Sequence, residues 1–167
     1  MNKSSSFDLA FIGSGISSTY TLFHFLKKLE EKDDAESINI AIIEKYPTFH
    51  SGIPYGERSG STTLLITSLK NFLPEPQLSE FVPWLNENKD WLLGDFKEHG
   101  GPLSCEWIQK HEEALKQNQW EELFIPRRFF GYYIDEKINS IIKSLEKKKV
   151  VSISYINGKV VDMDKSN

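Results

Sequence analysis

A mixed α/β fold with parallel strands follows from three observations. Residues 7–12 form a short apolar run that passes directly into Gly13-Ser14-Gly15. Residues 16–32 then carry Leu22, Phe23, Leu26 and Leu29 at helical spacing, with Lys27, Lys28, Glu30 and Glu31 on the opposite face. Residues 38–43 form a second short apolar run, which ends at Glu44. Strand, glycine turn, helix and strand in that order make a β-α-β unit, whose strands run parallel and whose crossover is right-handed. The expected fold is therefore Rossmann-like, the dinucleotide-binding arrangement of α/β proteins.

The remaining elements follow in order. Residues 7–12 read as a buried parallel strand, and residues 32–37 as a charged surface loop. Residues 45–80 lack a clean period and hold Pro47, Gly52, Pro54, Gly56, Gly60, Pro74 and Pro76, so they read as a long irregular stretch. A helix is expected over about 79–90, with Ser79 as its N-cap and Pro83 in its first turn. Further helices are expected over 104–117 and 129–147, the latter with Ile134, Ile138, Ile141, Ile142 and Leu145 on one face. Residues 150–156 read as a third strand. Asn157-Gly158 signals a hairpin, with residues 159–163 as the return strand. That strand has hardly begun when the chain ends, so the fold is read as truncated at its C-terminus. The whole, 1–167, is expected to be one incomplete domain, with a loop and helical insertion over 45–130.

Composition narrows the function classes. The chain has 167 residues, enough for one domain with a sizeable core. Its formal charge of −4 is mixed along the sequence, which argues against a nucleic-acid partner. A single cysteine, Cys105, excludes an intramolecular disulfide and fits a reducing, cytoplasmic setting. No apolar run approaches the roughly 20 residues of a membrane helix, and the polar start, residues 1–6, does not read as a signal peptide. His24, His50, His99 and His111 show no metal spacing with each other or with Cys105, and surface or helix-face positions are expected for them. His50 alone stands beside a candidate site loop. Trp84, Trp91, Trp107 and Trp120 are expected in the core.

The chemistry resides in the turn and the acid together. Gly13 permits a tight turn, and Gly15 lets the backbone approach a pyrophosphate that meets the N–H groups of the new helix. Ser14 lies within the turn, and Ser17 and Ser18 open the helix, either as hydroxyl donors to phosphate or as ordinary caps. Ser18 stands where the third glycine of the usual pattern would be. Glu44, at the end of the second strand, is positioned to accept from ribose hydroxyls and to repel a 2′-phosphate, which favours FAD or NAD over NADP. Its distance from the glycines exceeds the usual spacing, and the charged loop before Ile38 absorbs the extra residues. A methyltransferase also places a glycine turn and an acid in this way.

Several blocks together resemble a known family. They are Ile12-Gly13-Ser14-Gly15, Ile42-Ile43-Glu44-Lys45, Ser51-Gly52-Ile53-Pro54-Tyr55-Gly56, the stretch from Leu64-Leu65-Ile66-Thr67 to Pro74-Glu75-Pro76, Phe81-Val82-Pro83-Trp84-Leu85, and Phe124-Ile125-Pro126-Arg127-Arg128-Phe129-Phe130-Gly131-Tyr132-Tyr133. In this order they resemble the FAD/NAD(P)-binding proteins of the bacterial YdhS-like type, distant relatives of flavin monooxygenases. Ile66 departs from the family's usual Asn. The resemblance implies an N-terminal FAD-binding segment. In it Gly13, Gly15 and Ser17 meet the pyrophosphate, Glu44 meets the adenosine ribose, and Gly52 and Tyr55 pass near the flavin. Arg127 and Arg128 supply positive charge. The family's later elements, a strand end that closes the FAD site and a second glycine loop for a nicotinamide cofactor, have no counterpart in the sequence. FAD is thus the expected cofactor, with NAD(P) an alternative.

No acid, base or nucleophile constellation stands out, so no catalytic residue is assigned. Two readings follow. The chain is the cofactor-binding portion of an FAD-dependent oxidoreductase, completed by a further C-terminal part or a protein partner. Alternatively, it is a degenerate, non-catalytic Rossmann-like domain that acts as an interaction module through edge strands at 38–44 or 150–163.

Overall fold

Three strands, β1 (Leu9–Ile12), β2 (Ile38–Glu44) and β3 (Val151–Asn157), form one parallel sheet in the order β1-β2-β3. Leu9 pairs with Ile40 and Ile12 with Ile43; Ile38 pairs with Val151 and Glu44 with Asn157. The structure, a computed structural model, describes residues 6–32, 34 and 36–164. The polar start, residues 1–5, and positions 33 and 35 of the charged loop lie outside the described residues. The architecture is a mixed α/β, Rossmann-like dinucleotide-binding fold. The chain divides into two compact units, Met1–Gly52 with Ile134–Asn167, and Ile53–Tyr133.

In the first unit, helix α1 (Ile16–Glu30) follows the glycine turn. Ile40 and Ile42 share one face of β2 because side chains alternate along a strand. They join Leu22 and Leu26 of α1 in a cluster with Ile138, Ile141, Ile142 and Leu145. Those four come from helix α7 (Arg127–Lys147), and their spacing aligns them on one face. Val151 of β3 closes the cluster.

Three expectations about the sheet are corrected. β1 is not buried on both sides: Leu9 and Phe11 lean on the core, whereas Ala10 and Ile12 are exposed, Ile12 by 52%. β2 is the central strand, so 38–44 is not an edge; among the described residues the edges are β1 and β3. Asn157-Gly158 makes no hairpin. The Asn157 Nδ2 donates to the carbonyls of Glu44 and Tyr46, at 3.0 and 2.8 Å, and Gly158 N–H donates to Glu44 at 2.9 Å. The pair extends the parallel ladder past the end of β2, and residues 159–163 form no strand.

The second unit is helical. It contains α2 (Gly52–Tyr55, beginning one residue before the unit), a 3-10 turn (Glu57–Ser59), α3 (Leu69–Phe72), α4 (Gln77–Glu87), α5 (Lys89–Lys110), α6 (Glu112–Lys116) and the start of α7. The stretch read as irregular thus holds short helical turns. α4 begins two residues before Ser79, and Pro76 occupies the N-cap position. The Glu75 carboxylate accepts from Ser79 N–H at 3.2 Å, which places negative charge at the helix start. α5 was expected only from 104. It starts at Lys89 and crosses a kink at Gly101, where φ is 59°, followed by Pro102. Residues 63–70 run antiparallel beside 121–127, with Leu65 N–H donating to Ile125 and Leu69 N–H to Leu123, each at 2.9 Å. Phe81, Trp84, Trp107, Trp120, Phe129 and Phe130 fill the core. Trp91 does not: it is 53% exposed and lies against Tyr132, with ring centroids 5.0 Å apart.

A Cβ at Gly131 would fall on the backbone carbonyl of Tyr55. Close approach of the two backbone segments therefore depends on the missing side chain. Gly131→Ala should destabilise the protein by about 1–3 kcal/mol, read as a lowered denaturant midpoint with an unchanged slope.

Candidate functional site

The turn between β1 and α1 has the geometry of an anion seat. Gly13 N–H donates to Ile43 C=O at 2.7 Å, and Gly13 then turns at φ +88°, a conformation that favours glycine. Gly15 is the extended N-cap of α1, and the first bond within the helix runs from Thr19 N–H to Gly15 C=O at 3.0 Å. No side chain caps the helix. Ser17 and Ser18 therefore do not act as N-caps; Ser17 is exposed and Ser18 half-buried. The amides of the first turn are left to meet solvent or an anion, where the helix dipole adds partial positive charge. A Cβ built on Gly13 or Gly15 meets nothing within 4 Å, so space lies open against the turn.

Glu44 is tied to this turn. Its Oε2 accepts from Ser14 N–H at 2.8 Å and its Oε1 accepts from Tyr46 N–H at 3.1 Å. Burial alone would raise its pKa. The backbone donors of Ser14, Tyr46 and Lys45, with the Ser14 hydroxyl, outweigh that and hold the carboxyl below its usual range. Glu44 is thus a fixed anion beside the glycine turn, and its two oxygens keep further lone pairs for hydroxyl donors.

The loop after β2 folds back onto the same turn. A Cβ on Gly52, at φ +62°, would come within 3.0 Å of the Gly15 Cα. His50 departs from its expected surface position: it is 2% exposed and adopts φ 72°. Its N–H donates to Ser14 Oγ at 3.3 Å, and its C=O accepts from Thr19 Oγ1 at 2.9 Å. His50 Nε2 lies 3.0 Å from the Tyr155 hydroxyl. Burial pushes the imidazole down to about 4. Thr19 and Tyr155 were not singled out in the sequence, since only the folded loop brings them together. The single legible signal was the place of His50 two residues before Gly52.

The structure thus brings Gly13, Ser14, Gly15, Glu44 and Gly52 together. Tyr55 and Arg127 belong to the second unit and are described within it. The Tyr55 ring packs edge-on against Phe130, with centroids 5.2 Å apart, and near Phe72. Arg127 Nε donates to Leu64 C=O, and Arg127 N–H to Thr63 C=O, both at 2.9 Å. Arg127 therefore braces the pairing of two segments that carry the family resemblance. Arg128 lies over the Tyr132 ring, 5.5 Å from its centroid.

A cavity of about 550 Å³ opens at the N-terminal ends of β1 and β2, lined by Asp8, Lys32, Asp34 and Glu36 among others. Ligands of open α/β sheets bind outside the carboxyl ends of the strands, so the glycine turn remains the candidate site. Among the described residues there is no cluster of His, Cys, Asp or Glu fit for a metal, and no helix long and apolar enough to cross a membrane.

The two perturbed groups give opposite ends of one acid limb. The unfolded His50 takes up a proton below its ordinary 6.5, whereas the folded residue resists until about 4. Its contribution to stability is present above 6.5 and is lost as pH falls towards 4. Glu44, depressed from 4.5, contributes above that value and loses its contribution as pH falls below it. The stability of the wild type, measured by urea denaturation, should fall between pH 6.5 and 4 more steeply than that of His50→Asn. Glu44→Gln should be less stable than wild type above pH 4.5, and the two should converge as pH falls below that value.

The comparisons agree with the architecture. A family profile described as FAD-NAD(P)-binding matches residues 10–167. An uncharacterized protein of Mycobacterium bovis and two of Mycobacterium tuberculosis are each 35% identical over 156 residues, 93% of this chain. The chain spans 29% of the length of those curated relatives. No solved structure matches it significantly. With the glycine turn, strand-end acid and parallel sheet in place, the chain belongs to the FAD-NAD(P)-binding family.

Proposed function

We propose that the chain is the N-terminal, FAD-binding portion of an FAD-dependent oxidoreductase. The observation that carries this reading is the Glu44 carboxylate, anchored on Ser14 N–H at 2.8 Å beside a turn with open space against Gly13 and Gly15. A diphosphate would sit in that open space, with the first-turn amides of α1 as its hydrogen-bond donors. Glu44 offers acceptors to a ribose diol and repels a third phosphate. That supports FAD or NAD over NADP, and the resemblance of the 51–56 and 124–133 blocks favours FAD.

Flavin, when bound, supplies the redox chemistry. The residues of this chain bind and orient it: the α1 amides hold the diphosphate, Ser14 and Glu44 fix the adenosine end, and Gly52 keeps its loop close to Gly15. Ser17, Ser18, Tyr55 and Arg127 are assigned to cofactor binding on the resemblance alone. Substrate and electron acceptor belong to the remainder of a longer protein or to a partner, which we place against the outer edge of β1. That edge is unpaired among the described residues, and Ile12 beside it is 52% exposed. The same edge favours the second reading, an interaction module without cofactor.

Thermal shift against FAD, NAD, NADP and S-adenosylmethionine separates the readings, because only a ligand of the folded state raises the transition. FAD should give the largest rise, and purified protein should absorb as a flavoprotein. No rise with any of the four would leave the interaction module. Glu44→Gln should weaken FAD about tenfold, the loss expected for one or two hydrogen bonds to a charged acceptor, measured by flavin fluorescence titration. An unchanged affinity would remove Glu44 from the site.

A further inference from the structure

The Glu44 carboxylate is aimed by the backbone that follows it, and that backbone is held from β3. Asn157 pairs with Glu44 at the last rung of the β2–β3 ladder. Its Nδ2 donates to the Glu44 carbonyl at 3.0 Å and to the Tyr46 carbonyl at 2.8 Å. Both partners are acceptors, so the NH2 end of the side chain, with its two donors, is the end that faces them. Gly158 N–H adds a further bond to the Glu44 carbonyl, at 2.9 Å. The chain is thus held at 44 and at 46, where it leaves the sheet.

The effect on the acid follows from peptide geometry. A peptide unit is planar and trans, so its C=O and N–H point in opposite directions. The Glu44 carbonyl is held toward β3, so the N–H of the same unit, that of Lys45, is turned the other way and donates to the Glu44 carboxylate. Tyr46 N–H reaches Oε1 at 3.1 Å, and Oε2 is left for Ser14 N–H at 2.8 Å. The chain after β2 therefore curls about its own carboxylate, and Asn157 ties both ends of that curl to β3.

We propose that Asn157 is a specificity-determining, positioning residue. By holding the 44–46 backbone it keeps the Glu44 carboxylate where it accepts from an unphosphorylated adenosine ribose and excludes a 2′-phosphate. The inference rests on the dinucleotide reading above and names the residue on which discrimination at the ribose depends. A mobile Glu side chain turns away from a phosphate at little cost. One held by the amides of Ser14, Lys45 and Tyr46 loses those bonds if it turns.

The test compares ADP, the half that FAD and NAD share, with 2′-phospho-ADP, by calorimetry on the whole chain. Asn157 is exposed, so Asn157→Ala leaves no cavity and the circular dichroism should be unchanged. Loss of its bonds should weaken ADP about fivefold and narrow the preference for ADP over 2′-phospho-ADP. Asn157→Asp, equal in size but without donors, should do the same. In a Glu44→Ala background Asn157→Ala should change neither quantity, because no carboxylate is left to position. A ligand-free measurement reads the same link. The Glu44 carboxyl carbon, followed by NMR, should titrate below 4.5 in the wild type and closer to 4.5 in Asn157→Ala. An equal loss in both backgrounds, an unchanged preference, or an unmoved Glu44 midpoint overturns the inference and leaves the dinucleotide reading standing. Failure of the wild type to bind either ADP or FAD overturns that reading, and the inference with it.

Discussion

Glu44 reaches across from the end of β2 to the amide of Ser14, and the geometry of the first unit depends on that contact. Gly13 N–H is already bonded to Ile43, so the ends of β1 and β2 are tied at two successive residues. With Ser14 fixed, its hydroxyl accepts from His50 N–H, and the loop after β2 is drawn back until Gly52 packs on Gly15. A carboxylate suits this role because it accepts several N–H groups at once, and bonds to a charged acceptor are stronger than those between neutral groups. One residue thereby closes the turn and presents the acidic group that, in the proposed function, meets a ribose.

The parts of this arrangement that are local were legible in the sequence. The glycine pair, the apolar runs and the strand-end acid sit in a fixed order along the chain, and each depends on near neighbours. The α7 face was legible for the same reason, since Ile138, Ile141, Ile142 and Leu145 repeat at helical spacing. What escaped depends on distant partners. Asn157-Gly158 has the composition of a hairpin, yet the carbonyls of Glu44 and Tyr46 capture the Asn157 side chain and keep the strand parallel. His50 looked like a loop residue, because nothing near it in sequence announces that Ser14, Thr19 and Tyr155 enclose it. α5 was half missed because Gly100-Gly101-Pro102 reads as a break. The structure keeps both sides helical and confines the break to one residue with positive φ.

Charge at the turn imposes a further constraint. Glu44 stays ionised and His50 stays neutral, so neither offers positive charge to a diphosphate. In the proposed binding mode, attraction comes from the N–H groups at the start of α1, which have no side-chain cap competing for them. A capping hydroxyl would occupy an amide that an anion needs.

The contrast between β1 and β2 bears on what the turn can accomplish unaided. β2 buries Ile40, Ala41 and Ile42 almost completely, as a central strand of a parallel sheet does. β1, which carries the glycine turn on its end, exposes Ala10 and Ile12 and has one unpaired edge among the described residues. The turn itself is held by Ile43 and Glu44, on the β2 side. Its order therefore comes from the paired flank. In the proposed function, the open flank leaves one side of the ligand without a neighbour among the described residues. A dinucleotide seated here would gain its phosphate and ribose contacts from this chain. Enclosure of the remainder would depend on whatever pairs with β1.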